Sequence, residues 1–373
     1  MPVPHETDVF IVGGGPAGLA AAIAARGKGL RVTVADGSRP PIEKPCGEGL
    51  MPDSLDALRQ LGITIGSEHS FPFCGIRFVA PGASVSASFP SGCGLGMRRP
   101  VLHQLLTDRA AETGVQFLWG VRVTGISGDG VLVNGERVRS RWIIGADGQS
   151  SNVRRWADLD ALHRYKRRFG FRRHYRVTPW SDCVELHWGS GFQFYITPVS
   201  PREVCMVLIS QNRQLRIDEA LEGCPELSAR LQGAIPAGAE QGAVSLSCRF
   251  KQVARGRVAL VGDASGSVDA VTGEGMCLAF QQAVKLADAL AACDLRMYAA
   301  GHRRLMRRPF FIADAMLLLD RFPGLRDRAM RALSANPAIF STLLAMHVGA
   351  RAPAAMVTTA LPLGWQMLTA GRA

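Results

Sequence analysis

Apolar positions along this chain follow two periods, and the change from one to the other divides it into regions. Three apolar runs end abruptly in glycine: Asp8-Val9-Phe10-Ile11-Val12 before Gly13, Trp142-Ile143-Ile144 before Gly145, and Val258-Ala259-Leu260-Val261 before Gly262. Apolar runs without alternation predict buried strands of a parallel sheet. Residues 19–26 and 275–292 carry apolar side chains at helical spacing instead. Segments 76–80, 85–89, 169–177, 184–188, 193–199 and 204–210 have strand character and are separated by turn residues. They predict a mostly antiparallel sheet as a second layer. From Pro309 onward the pattern predicts helices at 310–319 and 338–348, then an uncharged stretch at 352–370. That stretch approaches membrane-spanning length but contains Pro353, Pro362 and Gln366, so packing over the second domain or lying on a membrane surface is expected instead. The fold class is α/β. A Rossmann-like domain (1–70, 98–160 and 245–300) is interleaved with a sheet domain (71–97 and 161–244), and 301–373 forms a helical C-terminal region.

The first apolar run opens a nucleotide fingerprint. Gly13-Gly14-Gly15-Pro16-Ala17-Gly18 reads G-x-G-x-x-G, a helix follows, and a second strand, Arg31 to Ala35, ends in Asp36. Gly13 allows the tight turn and Gly15 lets backbone amides approach a pyrophosphate. Gly18 permits close helix–strand packing, and Asp36 can accept from ribose hydroxyls. Pro16 and Ala17 complete the phosphate-facing turn. The fingerprint alone leaves NAD and FAD both open. The third run delivers Asp263 to a strand end and leads through Thr272-Gly273-Glu274-Gly275-Met276 into a long helix, an arrangement suited to an anionic ligand.

With the Gly145-Ala146-Asp147-Gly148 loop added, the set resembles FAD-dependent oxidoreductases of the glutathione-reductase type, in the aromatic hydroxylase class. The resemblance covers roughly residues 5–300. It implies FAD as cofactor, with Asp147 in a supporting motif, Asp263 bonded to the ribityl chain, and Arg99 as a cofactor-side arginine. It also implies that Gly262, Gly273, Glu274, Gly275 and Met276 meet the flavin, with helix amides stabilising charge on its pyrimidine edge. Thr272 and Glu274 are equally expected to cap that helix. Pro45-Cys46-Gly47 resembles a turn of geranylgeranyl reductases, and Gly47-Glu48-Gly49-Leu50-Met51-Pro52 one of flavin halogenases. This places Gly47 near the flavin. Cys46 is then either a substrate-side residue or a small apolar filler.

Composition fits an enzyme with a sizeable core, since apolar residues make up 47% and charged ones 20% of 373 residues. No cationic region followed by an apolar one opens the chain, so a cytoplasmic protein, at most peripheral at a membrane, is expected. Nine cysteines without a C-x-x-C pair predict reduced thiols and no zinc site, and no metal is expected. The net charge of +12 concentrates at residues 164–168, 172–174 and 302–308. A solvated face explains it equally with attraction of an anionic substrate, an acidic carrier protein or a phospholipid surface. No nucleic-acid module is present, and no nucleic acid is expected. NADPH or NADH, lacking a second fingerprint, is expected only as a transient electron donor.

The reaction expected first is monooxygenation of a lipophilic aromatic, polyketide or prenylated small molecule. Reduction of prenyl double bonds comes second, and halogenation, with Lys44 near the relevant turn, third. A prenyl-protein escort is the non-enzymatic alternative. Phe192, Phe194, Tyr195 and Trp188 are expected to roof the substrate, and no histidine dyad suggests a general base.

Overall fold

The computed structural model describes residues 3–351 together with 364 and 367. Most of the 352–370 stretch therefore lies outside the described residues. Among the described residues the strands form three sheets. The first is built around Glu6–Val12, where Val9, Phe10 and Ile11 are fully buried. It pairs in parallel with Val32–Asp36 on one side and Glu136–Gly145 on the other. Gln116–Trp119 and Val258–Leu260 extend the sheet, also in parallel. Helices α1 (Pro16–Arg26), α2 (Pro52–Gln60), α3 (Arg99–Glu112) and α4 (Asn152–Trp156) accompany it. The strand ends Val12, Asp36, Gly145 and Leu260 consequently share one edge, where open α/β sheets bind their ligands.

The second sheet runs through Gln241–Phe250, Leu162–Arg176, Glu203–Ser210, Phe192–Ser200, Cys183–Trp188, Gly75–Ala80 and Ala83–Ser88. Its pairings are antiparallel except between Cys183–Trp188 and Gly75–Ala80. Strand alternation splits its faces. Phe192, Phe194, Ile196, Met206 and Leu208 pack with α5 (Ile217–Glu222) and α6 (Pro225–Arg230). Tyr195, Thr197, Val207 and Ile209 point the other way, into the central cavity. The third sheet is small: Gly49–Leu50, Gly94–Gly96 and Phe71–Phe73.

Helix α7 (Gly275–Ala291) returns to the first sheet and packs on α1, its Phe280, Ala283 and Leu286 joining the largest core cluster. Then come α8 (Leu295–Arg321), α9 (Pro323–Ala335) and α10 (Pro337–His347). The sequence suggested a fresh start at Pro309, but α8 runs through it. Burial of Pro309 with Met306 and Ala313 offsets a backbone penalty of about 3 kcal/mol. Helices α9 and α10 close over Ala83–Ser88, with Leu333, Phe340 and Leu344 against Val85 and Phe78.

One expectation about the cysteines is corrected. Cys74 and Cys93 form a disulfide, their Cα atoms 4.3 Å apart, and seven cysteines stay free. The hairpin of Gly75–Ala80 and Ala83–Ser88 folds the chain back so that Phe89 N–H donates to the Cys74 carbonyl. A spacing of 19 residues gave no hint of that return. Among the described residues no helix is long and apolar enough to cross a membrane.

Candidate active site

At the shared edge of the first sheet the glycine loop is held with almost no slack. A Cβ on Gly13 would lie 2.3 Å from the Ala146 carbonyl oxygen, and one on Gly18 would lie 1.9 Å from the Gly13 carbonyl oxygen. Gly14 is closed off by Trp119, whereas Gly15 faces open space at the N-terminus of α1. That opening, with Pro16 and Ala17, borders a cavity of about 1230 Å³. Drug-sized ligands fill roughly 300–1,000 Å³, so this space accommodates a dinucleotide and more. Asp36 is partly committed: Oδ2 accepts from Gly14 N–H at 2.7 Å and Oδ1 from Ser38 N–H at 2.7 Å. It therefore braces the loop besides facing the place where a ribose would lie.

Asp147 accepts from Ser151 Oγ and from the Asn152 and Val153 amides, so it anchors the start of α4 while lining the cavity. Gly262 has a positive φ of 62° and is pressed against Ala17, which turns Asp263 into the cavity. Enclosure raises the Asp263 carboxyl above the usual range, with Arg99 and Lys44 pulling the other way. Arg99 starts α3, and its buried Nε has no partner. An open glycine loop, a cavity-facing acid and an orphaned guanidinium nitrogen are what FAD would satisfy, and the residues present fit it.

Cys46 and Gly47 line the same cavity, and behind them stands Glu48, which the sequence reading used only as part of a motif. It is 1% exposed and has a φ of 59°. Its carboxylate accepts from Arg99 N–H at 2.9 Å and Arg172 Nη1 at 3.1 Å, and meets His174 Nε2 at 2.7 Å. Cys205 joins it, and Glu48, His174 and Cys205 present ligand-capable atoms within 4.8 Å of one another. Tertiary folding creates this group; no spacing in the sequence signals it. The adjacent Arg172 already balances the carboxylate charge, which works against a cation there.

The basic segments are divided between surface and interior. Arg168 is 3% exposed and Arg172 2%, both inside the sheet domain. Arg168 donates to Asp269 and Gln193 at 3.0 Å each. Alternation on this strand turns Arg168, Arg172 and His174 inward, whereas Arg164 and Arg167 stay exposed. His302 is buried too, bonded to Ser265 Oγ at 2.9 Å.

At the start of α7 the loop passes Gly273 at φ 66° and delivers Gly275 and Met276 to the cavity. Glu274 occupies the N-cap position, yet its side chain makes no capping bond. Thr272 Oγ1 instead accepts from Glu274 N–H at 3.4 Å. The Glu274 carboxyl turns away into a buried cluster with Arg308 and His347.

Of the four expected roof aromatics, Tyr195 alone lines the cavity. Phe192 and Phe194 belong to the opposite face, and Trp188 packs edge-on against Phe78 at 5.0 Å. Tyr195 Oη is buried without a partner. The far wall comes from regions read only as generic helices: Ala315, Met316 and Leu319 of α8, Leu333 of α9, and Phe340 and Leu343 of α10.

A doubly layered α/β dinucleotide fold with this crevice defines a flavoprotein oxidoreductase. The chain belongs to the FAD binding domain family, whose model matches residues 6–215. It is 30% identical to menaquinone reductase of Mycobacterium tuberculosis over 364 residues, covering 87% of this chain and 86% of that protein. It is also 30% identical to rifampicin monooxygenase of Rhodococcus hoagii, but over 161 residues, 40% of this chain and 33% of that protein. Its fold is shared by a geranylgeranyl bacteriochlorophyll reductase-like protein of Thermoplasma acidophilum, with a TM-score of 0.73 at 20% identity, over 84% of this chain and 88% of that one.

Proposed function

We propose that this FAD-dependent oxidoreductase is a reductase that saturates a carbon–carbon double bond in the prenyl chain of a lipophilic substrate. The observation that carries the reading is the cavity. From the cofactor crevice it continues into an apolar chamber walled by the second sheet and by α8, α9 and α10. Similarity to the menaquinone reductase extends over 87% of the chain, so it includes much of the region that builds this chamber. Similarity to the rifampicin monooxygenase covers only 40%.

Bound FAD, once reduced, supplies two electrons and one hydrogen as hydride, and saturation requires one further proton. The chain's own part is positioning and exclusion of water. Gly15 and the α1 N-terminus would receive the pyrophosphate, Asp263 and Arg99 would hold the cofactor, and the α7 amides would favour negative charge on it. The apolar wall fixes the hydrocarbon chain, and the Tyr195 ring lines it while its Oη stays buried near Arg168, Asp269 and Asp320. Phe311 and Leu318 line the cavity and are also about half exposed, at 54% and 49%. Exposed Arg303, Arg304 and Arg307 lie on the same helix. A lipid surface or acidic carrier protein meeting this mouth, and a nicotinamide cofactor as transient donor, complete the proposal.

The second reading, monooxygenation, rests on the rifampicin monooxygenase relative. Anaerobic turnover separates the two. Without oxygen, FAD-loaded protein, NADPH and a prenylated quinone are expected to give product whose prenyl chain carries two more hydrogens and keeps them after the head group is reoxidised to the quinone. Product formed only when oxygen is admitted, with one oxygen atom gained, would replace reduction by hydroxylation.

A further inference from the structure

Four buried side-chain atoms without a hydrogen-bond partner lie in one cluster: Asp53 Oδ1, Glu274 Oε2, Arg308 Nε and His347 Nδ1. They come from α2, the start of α7, α8 and the end of α10. Glu274 Oε1 lies 3.6 Å from Arg308 Nη2, and Oε2 lies 3.8 Å from His347 Nδ1. His347 Nε2 is 3.1 Å from the Thr272 carbonyl oxygen. A carbonyl only accepts, so Nε2 carries the hydrogen and Nδ1 of the neutral ring presents a lone pair. That lone pair faces Glu274 Oε2. Two acceptors facing each other in a dry interior repel unless one holds a proton, and burial disfavours the charged ring of His347, which leaves the proton to the Glu274 carboxyl.

The charge count agrees. Asp53 and Glu274 are two acids facing one fixed cation, Arg308, while Cys277 and Ser54 add only neutral groups beside Asp53. Burial, helped by the Asp53 charge and opposed by Arg308, pushes the Glu274 carboxyl up to about 8. Burial pushes His347 down to about 4, so it is uncharged at neutral pH. Arg308, His347 and Arg351 also line the cofactor cavity beside Gly273 and Gly275. The start of the 17-residue helix α7 is the part of that wall best suited to negative charge.

We propose that Glu274 is a redox-coupled proton site of the alkaline protein: where its carboxyl is ionised before reduction, it takes up a proton when the flavin held in this crevice is reduced and releases it on reoxidation. A hydride donor of the nicotinamide class adds two electrons and one hydrogen, leaving one extra negative charge in the crevice. The Glu274 carboxylate then forms an O–H bond with a proton from solvent, which restores the charge, and on reoxidation that bond breaks and the proton leaves. The inference requires bound FAD and is independent of which substrate is reduced.

The test is the flavin midpoint potential of the FAD-loaded protein, measured against pH in the alkaline range, with no substrate present. Around and above pH 8, where Glu274 ionises in the oxidised protein, the slope is expected to double, from one proton per two electrons to two. Glu274→Gln is expected to keep the one-proton slope throughout, with its flavin spectrum and melting temperature showing that it is folded and loaded. Asp53→Asn removes the neighbouring negative charge and is expected to move the break to lower pH. Identical slopes in wild type and Glu274→Gln overturn the proposal. Should Glu274→Gln fail to hold FAD, an unmoved break in Asp53→Asn overturns it instead.

Discussion

A side chain on Gly18 would collide with the backbone of Gly13, and that collision explains why a few residues of this chain are so informative. Where a fold leaves no room for a Cβ, the residue type states the geometry. Buried ionisable residues carry no such mark, and Glu274 is the clearest case: a helix-capping acid by its position, a member of a buried charge cluster by its contacts. Burial of Glu274 ties the stability of the fold to pH. The folded-state value of about 8 stands above the ordinary 4.5, so the contribution is full below pH 4.5 and is lost as pH rises through 8. His302 and His347 act in the opposite sense. Both are held near 4 against an ordinary 6.5, so their contribution is present above pH 6.5 and lost as pH falls towards 4. Thermal melts across this range are expected to show Glu274→Gln gaining on wild type by a few degrees between pH 5 and 8, a gain of order 1 kcal/mol or more. A constant difference across that range would mean that Glu274 is ionised in the fold at neutral pH.

Among elements, the strand Leu162–Arg176 shows how periodicity misleads. As text it is a basic run; in the sheet it sends Arg168, Arg172 and His174 inward to Asp269 and Glu48. The same alternation sends Tyr195 to the cavity and Phe194 to the opposite core, and only the sheet's partners decide which face is which. Register also makes the disulfide, because the hairpin between residues 75 and 88 returns the chain to Cys74. Thiol titration of the unfolded protein is expected to find seven free thiols before reduction and nine after it. Closing a loop of 19 residues stabilises by about 3 kcal/mol in the chain-entropy account, so Cys93→Ser is expected to melt several degrees lower. Nine thiols without reduction would remove the bridge.

For the whole molecule, the feature that matters is the continuity of one cavity across both layers and the C-terminal helices. Its cofactor half is lined by glycine loops from three distant segments, and its far half by α8, α9 and α10. Filling the far half should therefore act on the substrate and spare the cofactor. Ala315→Trp is expected to raise KM for a long prenylated quinone by at least about tenfold, the cost of roughly 1.4 kcal/mol of lost binding. Flavin content and its reduction by NADPH should stay at wild-type levels. If long and short substrates suffer equally, the chain is not bound along α8.

The sequence by itself determined the fold class and the glycine loops that meet at one edge of the first sheet. Pyrophosphate binding at a strand–helix turn demands glycine at fixed offsets, and parallel buried strands demand unbroken apolar runs. The tertiary structure decided what lies at the other end of the cavity. The inward turn of Arg168 and Arg172, the Cys74–Cys93 bridge, the chamber beneath α8 to α10 and the Glu274–His347–Asp53–Arg308 cluster all join residues far apart in the chain. Each depends on which face of a strand or helix meets which neighbour, a choice settled by packing that leaves no local trace in the chain.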